Sequence, residues 1–159
     1  MRVPPPLVGI AAALAQRGLT GATPAPGALR GAVTATLAMA SLGLTGAAAT
    51  QFRRSGTTVD PLHPEAASVL VTSGPNALSR NPMYVGMAGL LAAHALWRRS
   101  WTALIPVAVF VALIDRLQIQ AEESALAVTF GAEYEAYRAA SPRWLDRRSF
   151  STLITPQSR

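Results

Sequence analysis

The chain has 159 residues, half of them hydrophobic and 14% charged, against about 25% in ordinary soluble domains. One domain fits that length, and long uncharged runs with the charges gathered between them exclude an ordinary soluble core. The net charge of +6 comes from arginines that flank apolar runs without interleaved aromatics, which favours lipid headgroups over nucleic acid, and the absence of cysteine excludes disulfides, thiolate metal sites and a cysteine nucleophile.

The first apolar segment, "VPPPLVGIAAALAQ" at 3–16, is short for a span unless Arg17 snorkels and the helix continues. Arg2, this short apolar core and the following "GATPAPGA" also fit a signal peptide, against which three consecutive prolines stand. Residues 31–52 then carry no charge over twenty-two positions. As a helix that run is about 33 Å long, enough to cross a hydrocarbon core of about 30 Å. Gly43 with Ala47, or Ala32 with Thr36 and Ala40, would give it a small-residue face for close helix packing.

Asn81–Trp97 and Ser100–Ile114 are two further uncharged runs, joined by "RRS" at 98–100. Each reaches only about 23–26 Å as a helix. They predict a tight hairpin, with its ends inside the interface or in a locally thinned bilayer. Trp97 and Trp101 flank its turn, Pro106 is a candidate kink, and Asp115-Arg116 closes it. His94 lies near the far end as a packed or interfacial histidine. With the 53–80 loop, the tail after 115 and Arg2 on one side, ten arginines face Arg17, Arg30, Arg98 and Arg99 on the other. That bias predicts an inner, cytoplasmic membrane protein with the loop and tail in the cytoplasm.

Two polar segments stand out on that side. The central loop ends in "LVTSGPNALSRNPMY", where Asn81 suits a helix N-cap and Pro82 a first helical residue, with Tyr84 in the same turn. A helix starting there presents N–H groups that hold an anion; an ordinary capped membrane helix with Arg80 on lipid phosphate fits equally well. His63 in the same loop has no companions for a metal site. The tail, "QAEESALAVTFGAEYEAYRAASPRWL", places Glu122, Leu126 and Phe130 at a spacing of four, as in an amphipathic helix lying along the membrane. Its paired acids are also simply favourable at a helix start. For Arg116 a local contact with Asp115 or a headgroup stands beside an inward-facing place near the carboxylates.

Together the loop end, the hairpin, the "EE" pair and "FGAEYEAYRAASPRW" resemble the isoprenylcysteine carboxyl methyltransferase family over about residues 53–145, and more closely its bacterial relatives. The phospholipid N-methyltransferases share the same layout. The resemblance implies an integral membrane enzyme that transfers a methyl group from S-adenosylmethionine. By resemblance Val69, Leu70, Val71 and Gly74 line the cofactor. Asn81, Pro82 and Tyr84 occupy the R-H-P-x-Y motif that holds it, and Glu122 and Glu123 occupy its acidic pair. Asn81 replaces the usual histidine and Asn76 a common tyrosine. The carboxyl methyltransferases' basic substrate-side residue falls near Gln118, with Arg116 the nearest arginine, so substrate identity does not carry over.

The expectation is therefore an all-α integral membrane protein forming a single membrane domain. It has about four transmembrane helices, including the short hairpin, plus a C-terminal amphipathic helix. N-terminal helices fill 1–52; the methyltransferase-like core fills 53–145, with hairpin 82–117, and a tail fills 146–159. The expected activity is S-adenosylmethionine-dependent methylation of a lipophilic small molecule or lipid at the cytoplasmic face. Glu122 and Arg116 are the catalytic candidates. Val69, Leu70, Val71, Gly74, Asn76, Asn81, Pro82, Tyr84, Glu122 and Glu123 are the cofactor-binding candidates, with no metal and no obligate protein partner. A sterol-type reductase using NADPH and a non-catalytic membrane scaffold are the alternatives.

Overall fold

The computed structural model describes residues 4–56 and 68–149. His63 and its neighbours in 57–67, together with Arg2 and the tail beyond 149, lie outside the described residues. Among the described residues the regular structure is entirely helical: α1 (Pro5–Thr20), α2 (Ala28–Arg54), α3 (Pro75–Leu78), α4 (Pro82–Arg98), α5 (Leu104–Leu113), α6 (Gln120–Phe130) and α7 (Ala132–Ala140). Among the described residues, two helices are long and apolar enough to cross a membrane: α2, and the continuous helix Trp101–Phe130 that contains α5 and α6.

The distribution of side chains is the reverse of a soluble core. Leu14, Leu29, Met39, Leu42, Ile105 and Leu117 are exposed, while Gln16, Thr34, Ser41, Ala48, Ala93 and Ala95 are buried. Large apolar groups facing out and small or polar groups facing in is how helices pack when the surrounding solvent is itself apolar.

α4 is the hub, packing against α2, α1 and α5. Its contact with α2 is set by Gly86 and Gly89. A Cβ on Gly86 would stand 2.0 Å from Thr45 Oγ1 and 2.7 Å from the Ser41 carbonyl oxygen; one on Gly89 would stand 2.2 Å from Ser41 Oγ. The packing face of α2 is thus Thr34, Ser41, Thr45 and Ala48. Neither expected small-residue face is used: Gly43, Ala47, Ala32, Thr36 and Ala40 are exposed. The smallness that permits close approach resides on α4, and it selects the hydroxyl-bearing side of α2.

α1 is locked into the bundle by one polar side chain. Gln16 is fully buried, and its Nε2 donates to the carbonyl oxygens of Leu91 (2.9 Å) and Ala103 (2.8 Å). Its Oε1 lies 2.7 Å from His94 Nδ1. At the same end Arg98 Nε donates to Thr20 Oγ1 (2.7 Å), tying the ends of α1 and α4 together. A buried amide with these bonds is worth its desolvation, whereas an orphaned one costs about 1–3 kcal/mol.

The expected hairpin forms, but its second arm does not end at Asp115-Arg116. Pro106 sits in the first turn of α5, where a missing N–H is harmless, and does not break the helix. The chain continues through a π-helical turn, Ile114–Ile119, directly into α6. Gly131, at φ 51°, stops α6 and lets α7 start in a new direction, because the left-handed region costs glycine no Cβ clash. The acidic pair and the tyrosines, expected on one helix lying along the membrane, are therefore divided between the long helix Trp101–Phe130 and the short α7.

Candidate functional site

The site is assembled where the N-terminus of α4, the π turn and α6, and the segment after α7 meet. Gly74, at φ 60°, turns the chain into α3, and the turn Ser79–Asn81 then delivers α4. Pro82 occupies the first position of α4, as its fixed φ favours, and Asn81 the N-cap. The Asn81 side chain does not cap the helix; its Nδ2 donates to the Arg143 carbonyl oxygen at 3.0 Å.

Tyr84, one turn into α4, is buried and donates its hydroxyl to Glu122 Oε1 at 2.6 Å. Gln118 Nε2, one turn earlier than Glu122 on the same helix, donates to the same oxygen at 2.7 Å. Among the described residues, two neutral donors thus bond Glu122. Its neighbour Glu123 is held by two cations: Arg80 Nη2 lies 2.6 Å from Oε1, and Arg143 Nη2 bonds Oε2 while its Nε reaches Oε1 at 3.1 Å. Arg143 Nη1 also meets Asp115 at 3.3 Å, and Trp144 Nε1 donates to Asp115 Oδ1 at 2.9 Å. Glu123, by bonding its guanidinium, holds Arg143 above the ordinary arginine range. Ion pairs this enclosed offset their desolvation only when further hydrogen bonds complete them, as here.

The segment after α7 is docked on the Ser79–Asn81 turn by a run of hydrogen bonds. Arg80 N donates to the Pro142 carbonyl (2.8 Å) and Arg80 Nη1 to that of Ser141 (2.5 Å). Ser79 Oγ donates to the Arg143 carbonyl (2.9 Å), Tyr137 Oη to that of Asn76 (2.7 Å) and Ser149 Oγ to that of Leu78 (2.6 Å). Behind them Tyr134 and Tyr137 meet edge to face, with centroids 6.3 Å apart. Burial first, then the Glu123 charge, pushes the Tyr134 phenol up to about 12. Burial also raises that of Tyr137. The Tyr134 hydroxyl is paired with the Arg80 side chain, while Asn76 Nδ2 is enclosed without a hydrogen-bond partner among the described residues. Groups of this kind commonly await a bound water or ligand.

Among the residues singled out from sequence, Asn76, Asn81, Pro82, Tyr84, Glu122 and Glu123 come together here. Val71 is buried on the approach to them, Leu70 is half-buried, and Val69 and Gly74 are exposed. Arg116 is not brought in. Its side chain is 77% exposed, with Asp115 Oδ2 at 3.9 Å. The helix runs on past Asp115, and its inward places are taken by Ile114, Gln118 and Ile119. Arg116 lies two residues from Ile114 and from Gln118, hence on the opposite side. Arg80 binds Glu123 and the backbone at Arg138 and Ser141, and its side chain is 8% exposed, which withdraws it from the expected lipid phosphate. Arg143 and Asp115 are site residues that the sequence does not mark. "SPRW" lies within the quoted tail, but no spacing rule ties an arginine after a helix to an acid twenty residues before it.

A groove of about 350 Å³ between α1 and α5, lined by residues such as Val8, Ala12, Ile105, Val109 and Leu113, is wholly apolar and contains none of these polar groups.

The family model described as phospholipid methyltransferase matches residues 29–133, which takes in α2 through the start of α7. A protein of Haemophilus influenzae described as uncharacterized is 36% identical over 63 residues, 40% of this chain and 100% of that relative. No solved structure matches significantly. The matched span contains both halves of the Tyr84–Glu122 pair on a helical, lipid-facing scaffold, and this chain belongs to the phospholipid methyltransferase family of membrane proteins.

Proposed function

We propose that this chain is an S-adenosylmethionine-dependent methyltransferase of the inner membrane, with its site on the cytoplasmic face and a lipophilic small molecule or lipid as acceptor. The observation that carries the reading is the Tyr84–Glu122 contact in a chain of this family. On this reading α1 and α4 cross beside the two long helices in a bilayer thinned around them.

The residues present suit the cofactor. The enclosed amide nitrogen of Asn76 offers an unused polar contact, and Val69, Leu70 and Val71 offer apolar ones. When bound, S-adenosylmethionine supplies an electrophilic methyl group. Glu122 draws a cationic ligand group toward the end of α4, and Tyr84 and Gln118 fix the direction in which its carboxylate faces. As the acceptor's proton leaves, Glu122 is the carboxylate placed to take it. Tyr84 packs with Phe110, Ile114 and Trp144, an apolar wall that keeps water from the same spot. Arg116, facing outward, has no part in this arrangement.

The test is equilibrium binding of tritiated S-adenosylmethionine to the purified protein in detergent, with NADPH as competitor. Binding by the wild type, loss in Glu122→Ala and no displacement by NADPH are expected. A wild type that binds no S-adenosylmethionine sinks the reading, and displacement by NADPH transfers it to reductase chemistry.

A further inference from the structure

We propose that Arg143 is a positioning residue of this site: it clamps Asp115 and Glu123 across the π turn and thereby sets where Glu122 stands against Tyr84. The inference rests on the methyl-donor reading above and concerns a residue outside the span matched by the family.

Asp115 and Glu123 are eight residues apart, which on a regular α-helix leaves them about 80° out of line. The wider π turn, Ile114–Ile119, advances less per residue and takes up that angle, so both acids face the same side. One guanidinium then reaches both, Nη1 to Asp115 at 3.3 Å and Nε to Glu123 at 3.1 Å. The backbone of the same residue is held from the other direction, its carbonyl accepting from Ser79 Oγ (2.9 Å) and Asn81 Nδ2 (3.0 Å). Arg143 is therefore the residue through which the turn that starts α4 is joined to the helix that carries Glu122. Its planar fork suits two carboxylates at once, which a lysine ammonium does not.

Charge makes the role testable apart from stability. Among the described residues Tyr84 on α4 and Gln118 on the π turn bond Glu122, and beside it Glu123 is held by Arg80 and Arg143, the latter also meeting Asp115. Arg80 and Arg143 balance Asp115 and Glu123. Replacing Arg143 by a neutral residue leaves one uncompensated negative charge there and makes Glu122 easier to protonate.

The experiment measures tritiated S-adenosylmethionine binding by the full-length protein in detergent against pH, for wild type, Arg143→Gln, Arg143→Lys and Asp115→Asn. Melting temperatures are recorded alongside. In Arg143→Gln the pH at which binding is half lost on acidification should rise by about one unit, and in Asp115→Asn it should fall. Arg143→Lys should keep the wild-type midpoint while binding about tenfold more weakly, since the charge stays and the fork is lost. If the wild type binds but neither neutral variant moves the midpoint, and only melting temperatures drop, Arg143 is a structural brace and the proposal is overturned. If Arg143→Gln does not fold, the Asp115→Asn shift decides alone. A wild type that fails to bind removes the methyl-donor reading itself, a result distinct from an unmoved midpoint.

Discussion

Tyr84 and Glu122, 38 residues apart in sequence, are joined by a 2.6 Å hydrogen bond at the end of a lipid-facing bundle. A neutral donor on a half-buried carboxylate is worth about 1.5–3 kcal/mol, because one partner is charged. Tyr84→Phe is therefore expected to lower the melting temperature and, with the Glu122 carboxylate no longer held, to weaken S-adenosylmethionine binding by about tenfold or more. Filter binding alongside thermal unfolding in detergent measures both.

The adjacent glutamates should respond differently. Glu123 sits between Arg80 and Arg143, with side-chain exposure of 13%. Glu123→Gln leaves two enclosed cations short of a counter-charge, and a broken buried pair costs about 3–5 kcal/mol. Its main effect should be a large drop in melting temperature, whereas Glu122→Gln should lose binding and stay folded. Equal losses of stability in both variants would contradict this division.

Close approach of α2 and α4 depends on hydrogen atoms at two positions. Gly86→Ala drives a methyl group into Thr45 and the Ser41 backbone and is expected to lower the melting temperature sharply, by the overpacking cost of about 1–3 kcal/mol or more. Gly43→Ala faces open space and should leave it unchanged or slightly raised. Thermal unfolding of the two variants side by side is the check.

Gln16→Leu keeps the bulk but removes the donors to Leu91 and Ala103 and the partner of His94. With orphaned groups left inside the bundle, destabilisation of about 2–4 kcal/mol is expected. Loosening should begin at α1, and hydrogen exchange should rise there first.

Alkaline stability follows from the tyrosines behind the site. The folded Tyr134 phenol is raised to about 12 against 10.0 for an unburied one, so the folded state holds the proton more tightly. Its contribution is fully present below about pH 10 and is lost as pH climbs toward 12. Melting temperature should fall over that window. In Tyr134→Phe the fall should be shallower, though not absent, because Tyr137 is raised as well.

Much of this protein was legible along the chain. Hydropathy located α2, since a long run without charge favours one continuous apolar helix whatever its neighbours do. The Asn-Pro start of α4 was legible from Pro82, whose fixed φ acts locally. The two halves of the site were legible as residue types at the ends of apolar runs. What sequence could not decide was which side of each helix faces inward and which side chains join the two halves. Ser41 faces inward and Gly43 outward because Gly86 and Gly89 on another helix admit one side of α2 and not the other. Asp115 ends no hairpin because a π turn carries the helix onward, and Arg143 bonds both Asp115 in that turn and Glu123 beyond it. Arg143 and Gln16 act through contacts 20 to 87 residues away. Local propensity knows nothing of such separations; only the packed chain brings those groups within bonding distance.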